Sequence, residues 1–173
     1  MKPLLVIENA AEVPLGYLAD VLSGSATEFE LIRPYADDPV PGHQDRLGII
    51  VLGGAMGAYD VSDHPFLVDQ RRLLADGVAA GIPMLGICLG GQLLADSLGS
   101  TSFRARHAEA RFEAIESDAA SSDPVLRELD GPMLSFHRDT WQSPPGAQSC
   151  SRAPNTRRPF ASARRWRFNA TPR

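Results

Sequence analysis

A cysteine placed between a short apolar run and a helix-like run is the strongest chemical signal in this chain. The stretch Gly86-Ile87-Cys88-Leu89-Gly90-Gly91-Gln92 has the form Gly-x-Cys-x-Gly, the thiol version of a nucleophile elbow. A turn this tight strains the backbone of its central residue, and flanking glycines remove the Cβ clashes that would block it. The turn lifts the sulfur above the sheet edge. The helix that follows aims its N-terminus at the thiol, which lowers the pKa and favours the thiolate. The Leu89 amide is then placed to receive a developing oxyanion. The competing reading is a structural cysteine, since free cysteine is commonly buried. The strand-before, helix-after context favours the nucleophile.

A second glycine turn, Gly53-Gly54-Ala55-Met56-Gly57, follows another apolar run. In an open α/β sheet, loops at the carboxyl ends of neighbouring strands share one crevice. This turn can therefore offer backbone N–H groups toward Cys88, although a plain strand-ending turn has the same composition. It is not a dinucleotide fingerprint, because Gly-x-Gly-x-x-Gly is absent and no helix follows at once.

The elements that must position these turns are legible from periodicity. Short apolar runs at 4–7, 48–52 and 84–87 read as strands, the first of them as a strand buried on both faces. Residues 28–32 alternate and read as a further strand. Helical spacing runs over 14–22, closed by Gly24, over 66–80, stopped by Gly81, and from the elbow to Leu98, ended by Gly99. The Pro- and Asp-rich residues 33–45 read as a loop. Strands are expected at 112–115 and 133–136, with a short helix at 124–129. Alternation of strands and helices predicts an α/β fold: an open, mostly parallel sheet with helices on both faces.

Composition fits one globular domain: 173 residues, 43% hydrophobic and 22% charged. No apolar run reaches the roughly 18 residues of a membrane span. The N-terminal apolar stretch ends at Glu8, too soon for a signal peptide. Two cysteines, Cys88 and Cys150, make no disulfide framework, so a reduced, cytoplasmic protein is the expectation. The net charge of −4 conceals a break. Residues 1–143 carry 10 basic and 21 acidic side chains, whereas residues 144–173 carry seven Arg and no acid. The expected division is a domain over 1–147 and an irregular Arg-rich tail over 148–173. That tail has the bias of a GC-rich gene read out of frame. Seven Arg with Trp166 and Phe168 suit weak contacts with nucleic acid, but the acidic body repels a polyanion.

Three stretches resemble the class I glutamine amidotransferases, especially stand-alone members similar to the glutaminase part of GMP synthase. They are Val51-Leu52-Gly53-Gly54-Ala55-Met56-Gly57-Ala58-Tyr59-Asp60, the region from Pro83 to Ala95 around the elbow, and Phe136-His137-Arg138-Asp139-Thr140-Trp141 with Pro144-Pro145-Gly146-Ala147 after it. The resemblance covers 1–147 and implies a flavodoxin-like fold. It also implies that Cys88 attacks the glutamine side-chain amide and forms a γ-glutamyl thioester, releasing ammonia. Gly54 and Leu89 amides would form the oxyanion hole. Gln92, His137 and Asp139 would lie against the substrate. Arg138 stands where the family has glycine, so the local backbone is expected to differ. No cofactor or metal is implied. The ammonia acceptor would be a synthetase on another chain or a small molecule.

Amide cleavage also needs a proton acceptor and donor. The family supplies both with a His-Pro-Glu run near the domain end. The histidines here are His43, His64, His107 and His137, and none precedes Pro-Glu. Proton transfer is then left to water or a displaced His137, a residue that is not the general base in the family. Three functions follow: an impaired amidotransferase-type domain, a non-catalytic binding module that keeps the pocket, or a cysteine hydrolase acting on γ-glutamyl peptides.

Overall fold

The computed structural model describes residues 2–117, 131–145, 147, 151–152 and 163–164. Its centre is a parallel sheet. β1 (Leu4–Ile7), β2 (Phe29–Ile32), β3 (Gly48–Val51) and β4 (Met84–Ile87) lie in the order β2-β1-β3-β4. The central strands are apolar throughout because both of their faces are covered. On one face Leu5, Ile7, Ile49 and Val51 pack against Leu67, Leu74, Leu93 and Leu94. On the other, Val6, Ile50 and Leu52 pack with Leu15 and Leu22. This two-sided burial is the doubly wound arrangement that the sequence predicts.

The helices are α1 (Tyr17–Gly24), α2 (Phe66–Ala79) and α3 (Leu89–Ser97). α1 begins three residues later than its apolar spacing suggests. Gly16 is its N-cap at φ 53°, a conformation outside the helix, so Leu15 enters the core from the preceding turn. α2 and α3 both end where the sequence places their stops. Gly81 (φ +72°) and Gly99 (φ +81°) take the left-handed conformation just beyond each helix. In α2 the Gly81 and Ile82 amides return to Val78 O and Gly77 O; in α3 the Gly99 and Ser100 amides return to Asp96 O and Ala95 O. Both are closed Schellman caps.

Beyond α3 the architecture changes. β5 (Ser102–Ser117) and β6 (Gly131–Trp141) form an antiparallel ribbon in a second sheet. Sequence periodicity places strands only at 112–115 and 133–136. The longer strands carry Arg104, Arg106, Glu109 and Arg111, which no apolar alternation flags; ladder hydrogen bonding extends them rather than burial. The ladder is irregular between Arg104 and Glu109. Arg104 pairs with Asp139 and Glu109 with His137, so residues 105–108 lie opposite Arg138 alone.

Of residues 148–173, four are described. β7 (Ser151–Arg152) pairs antiparallel with Glu116 and Ser117 of β5. β8 (Ala163–Arg164) pairs antiparallel with Gly86 and Ile87 of β4. The expected helix at 124–129, Cys150, and the remainder of the Arg-rich segment lie outside the described residues.

Candidate functional site

β4 runs into α3 with one residue between them, Cys88. Its backbone sits at φ 52°, ψ −111°, a region that non-glycine residues rarely occupy. The neighbouring glycines are needed for close approach. A Cβ on Gly86 would stand 2.6 Å from Gly90 C, and a Cβ on Gly90 would stand 2.1 Å from Val51 O. The start of α3 therefore lies directly on the backbones of β3 and β4, and that proximity fixes the turn.

The Gly53-Gly54 turn approaches the same point. A Cβ on Gly53 would lie 3.5 Å from Cys88 Cβ; one on Gly54 would lie 2.8 Å from Leu89 Cδ2 and 3.3 Å from Asn9 Cβ. Asn9 fastens this turn. Its Nδ2 donates to Leu52 O at 3.0 Å, and its Oδ1 accepts from Gln70 Nε2 at 2.7 Å, in fully buried surroundings.

The two turns and the β5–β6 ribbon enclose a cavity of roughly 610 Å³. Gly54, Cys88, Gln92, His137 and Asp139 all line it. Leu89 turns its side chain into the core while its amide faces the Cys88 sulfur. All six residues expected at the site are thus brought together. Gln92 is buried, and its Oε1 has no partner among the described residues. Asp139 is buried and accepts a hydrogen bond from Tyr59 Oη at 3.0 Å. Arg138 leaves β6 unbroken. Its Nη2 donates to Ala55 O at 3.0 Å, so its guanidinium joins the ribbon to the glycine turn across the cavity.

Burial pushes the Cys88 thiol up, the Leu89 amide pulls it down, and the Asp139 carboxylate pushes it up again. The net direction is upward, which corrects the expectation of a lowered thiol. One amide dipole at the helix start does not offset desolvation and a nearby carboxylate. Tyr59 is also raised, chiefly by burial and then by its bond to Asp139.

Two residues of the cavity region escaped the sequence reading. Glu109 reaches His137, its Oε2 lying 3.4 Å from His137 Nε2. Only the strand register brings them opposite each other. Tyr59 sits within a quoted motif, yet its partner Asp139 is 80 residues away.

No described helix is long and apolar enough to cross a membrane, and no metal-holding cluster occurs among the described residues. Several known proteins are similar to this chain. A glutamine amidotransferase-like protein of Acanthamoeba polyphaga mimivirus is 30% identical over 97 residues, 56% of this chain and 45% of that protein. A glutamine amidotransferase structure from Methylobacillus flagellatus is 31% identical, with a TM-score of 0.76, over 89% of this chain and 62% of that one. A Thermotoga maritima glutamine amidotransferase is 26% identical, with a TM-score of 0.79, over 92% and 69%. The chain thus spans less than two thirds of the first two relatives. A profile of the class-I glutamine amidotransferases matches residues 19–171, which takes in both glycine turns, the strained cysteine and the ribbon; the chain belongs to that family.

Proposed function

We propose that this domain hydrolyses the side-chain amide of glutamine through a Cys88 thioester, giving glutamate and ammonia. The observation that carries the reading is the strained Cys88 at φ 52°, facing a cavity that it shares with the Gly53-Gly54 turn. Cys88 Sγ adds to the amide carbon. The Gly54 and Leu89 amides receive the oxyanion, a contribution typically worth 10²–10³ per donor. Gln92 offers its unpartnered Oε1 to a substrate N–H. Asp139 offers a carboxylate to the substrate's ammonium group. Ammonia passes to an acceptor on another chain or to a small molecule.

Turnover is set low by proton transfer. No His-Pro-Glu run exists in the sequence, and loss of acid–base catalysis costs about 10²–10⁴ in rate. The test is glutamate release from glutamine by the purified chain, with Cys88→Ser alongside. Slow release that Cys88→Ser abolishes supports the reading. Release that persists in Cys88→Ser, or a wild-type chain with no release at long times, overturns it. Thiol labelling by a glutamine-like electrophile without release would identify a binding module instead.

A further inference from the structure

We infer that Arg138 is a specificity-determining residue, whose guanidinium makes the Cys88 cavity select amides that also carry a carboxylate. Arg138 lines the cavity together with Cys88, Gln92 and Asp139. Its Nη2 donates to Ala55 O at 3.0 Å, and Ala55 lines the same cavity. The exposed guanidinium is thus held at the mouth, between the ribbon and the glycine turn that touches the elbow.

Its charge is unspent. Besides Cys88, the lining side chains that can carry charge are Glu109, His137, Arg138 and Asp139. Glu109 lies 3.4 Å from His137 Nε2 and 3.8 Å from Arg111 Nη2. Asp139 accepts from Tyr59 Oη at 3.0 Å. Among the described residues, no carboxylate comes within ion-pair distance of Arg138. Donation to Ala55 O occupies one N–H of the fork and leaves the others for an acceptor brought in from outside. The planar fork of a guanidinium matches a carboxylate. Arg138 stands where the class I glutamine amidotransferases have glycine, and β6 runs unbroken through the position. Arginine there adds a charge to the cavity without re-routing the strand.

The reach fits a short amide acid. A Cβ on Gly53 would lie 3.5 Å from Cys88 Cβ, and Ala55 is two residues further on, at most about 7 Å of chain. A five-carbon amide acid places its carboxylate roughly 5 Å from its amide carbon. With the amide at the elbow, the carboxylate lies within the span that ends at the guanidinium on Ala55 O. Asp139 supplies the opposite charge in the same cavity. A ligand with both an ammonium group and a carboxylate is therefore complementary to the lining, whereas a diamide leaves Arg138 unmet.

The choice of ligand rests on the amide hydrolysis proposed above. The experiment is calorimetric titration of the whole chain as Cys88→Ser, in which turnover is removed. The probes are L-glutamine and L-glutaminamide, whose neutral carboxamide replaces the carboxylate, at a pH where both amines are protonated. Glutamine is expected to bind about 10-fold more tightly, the lower end for a hydrogen bond to a charged group because Arg138 is exposed. Adding Arg138→Gly should make the two ligands bind alike, with the affinity for L-glutaminamide unchanged. Arg138→Lys should keep part of the preference. Raising salt should narrow the preference in Cys88→Ser and leave the Arg138→Gly double variant unmoved.

If Arg138 only tethers the glycine turn, its loss weakens both ligands equally, and that result overturns the inference. So does an equal preference with and without Arg138, or binding of neither ligand. Glutamate release by wild type separates this inference from the hydrolysis. If the preference is found but wild type releases no glutamate, the hydrolysis fails and the carboxylate site stands. If Arg138→Gly releases glutamate with an unchanged KM for glutamine, the hydrolysis stands and the carboxylate site fails.

Discussion

Gly90→Ala tests whether the elbow is shaped by contact between backbones. The added Cβ would meet Val51 O at 2.1 Å, Val51 C at 2.7 Å and Val51 Cβ at 2.9 Å. Real Cβ contacts essentially never fall below 3.0 Å, so α3 must move off β3 by about 0.9 Å, the difference between 3.0 and 2.1. The obstacle is strand backbone, which cannot rotate away. Moving α3 also disturbs Leu89, Leu93 and Leu94, which are 0%, 0% and 2% exposed. Overpacking costs about 1–3 kcal/mol, and a rigid backbone obstacle places this case near 3 kcal/mol or above. For a chain of this length that is a fall in Tm of about 6–12 °C. Gly24→Ala is the matched control: Gly24 is the exposed last residue of α1, with nothing within 4 Å of an added Cβ. It should be neutral or gain up to about 1 kcal/mol by restricting the unfolded chain. Urea titration of wild type and both variants measures the difference. A Gly90→Ala midpoint equal to that of Gly24→Ala would refute the claim that the start of α3 rests on β3.

The raised Cys88 thiol makes stability fall with alkali. The unfolded thiol ionises at about 8.5, whereas the folded one stays protonated to higher pH because of burial. Between those two values the unfolded chain binds fewer protons, so stability present below about pH 8.5 is lost as pH rises toward the folded value. Urea midpoints at pH 7 and pH 9.5 should differ in wild type and differ less in Cys88→Ser; an equal difference in both would show that the thiol is not the cause. Tyr59→Phe removes the donor to the buried Asp139 carboxylate. A hydrogen bond to a charged group is worth about 1.5–3 kcal/mol, so the variant should unfold at lower urea by that amount, and an unchanged midpoint would mean that water replaces the phenol.

The sequence disclosed those parts of the fold that burial writes into residue type. Leu4–Ile7 and Gly48–Val51 are apolar at almost every position because both faces of each strand are covered. Gly81 and Gly99 mark helix ends because left-handed backbone favours glycine. The ribbon was only half legible. Phe112, Leu134 and Phe136 are exposed, and Glu109 and His137 face the cavity. Its pattern therefore reports neither a buried face nor a solvent face consistently. The Glu109–His137 pair depends on a three-residue excess in β5, a property of strand register that no local spacing encodes.

The direction of the thiol shift bears on what the cavity needs. A thiolate-based elbow needs only a donor for the leaving nitrogen. Here burial and Asp139 shift Cys88 toward its protonated form against the pull of the Leu89 amide, so in the proposed hydrolysis attack would be coupled to proton removal. Asp139 is the carboxylate that acts on the thiol, and Tyr59 Oη donates to its Oδ1. A thiol that is neutral at rest separates charge only during attack. The Leu89 and Gly54 amides would then gain most of their value in the transition state, where interactions raise rate rather than affinity.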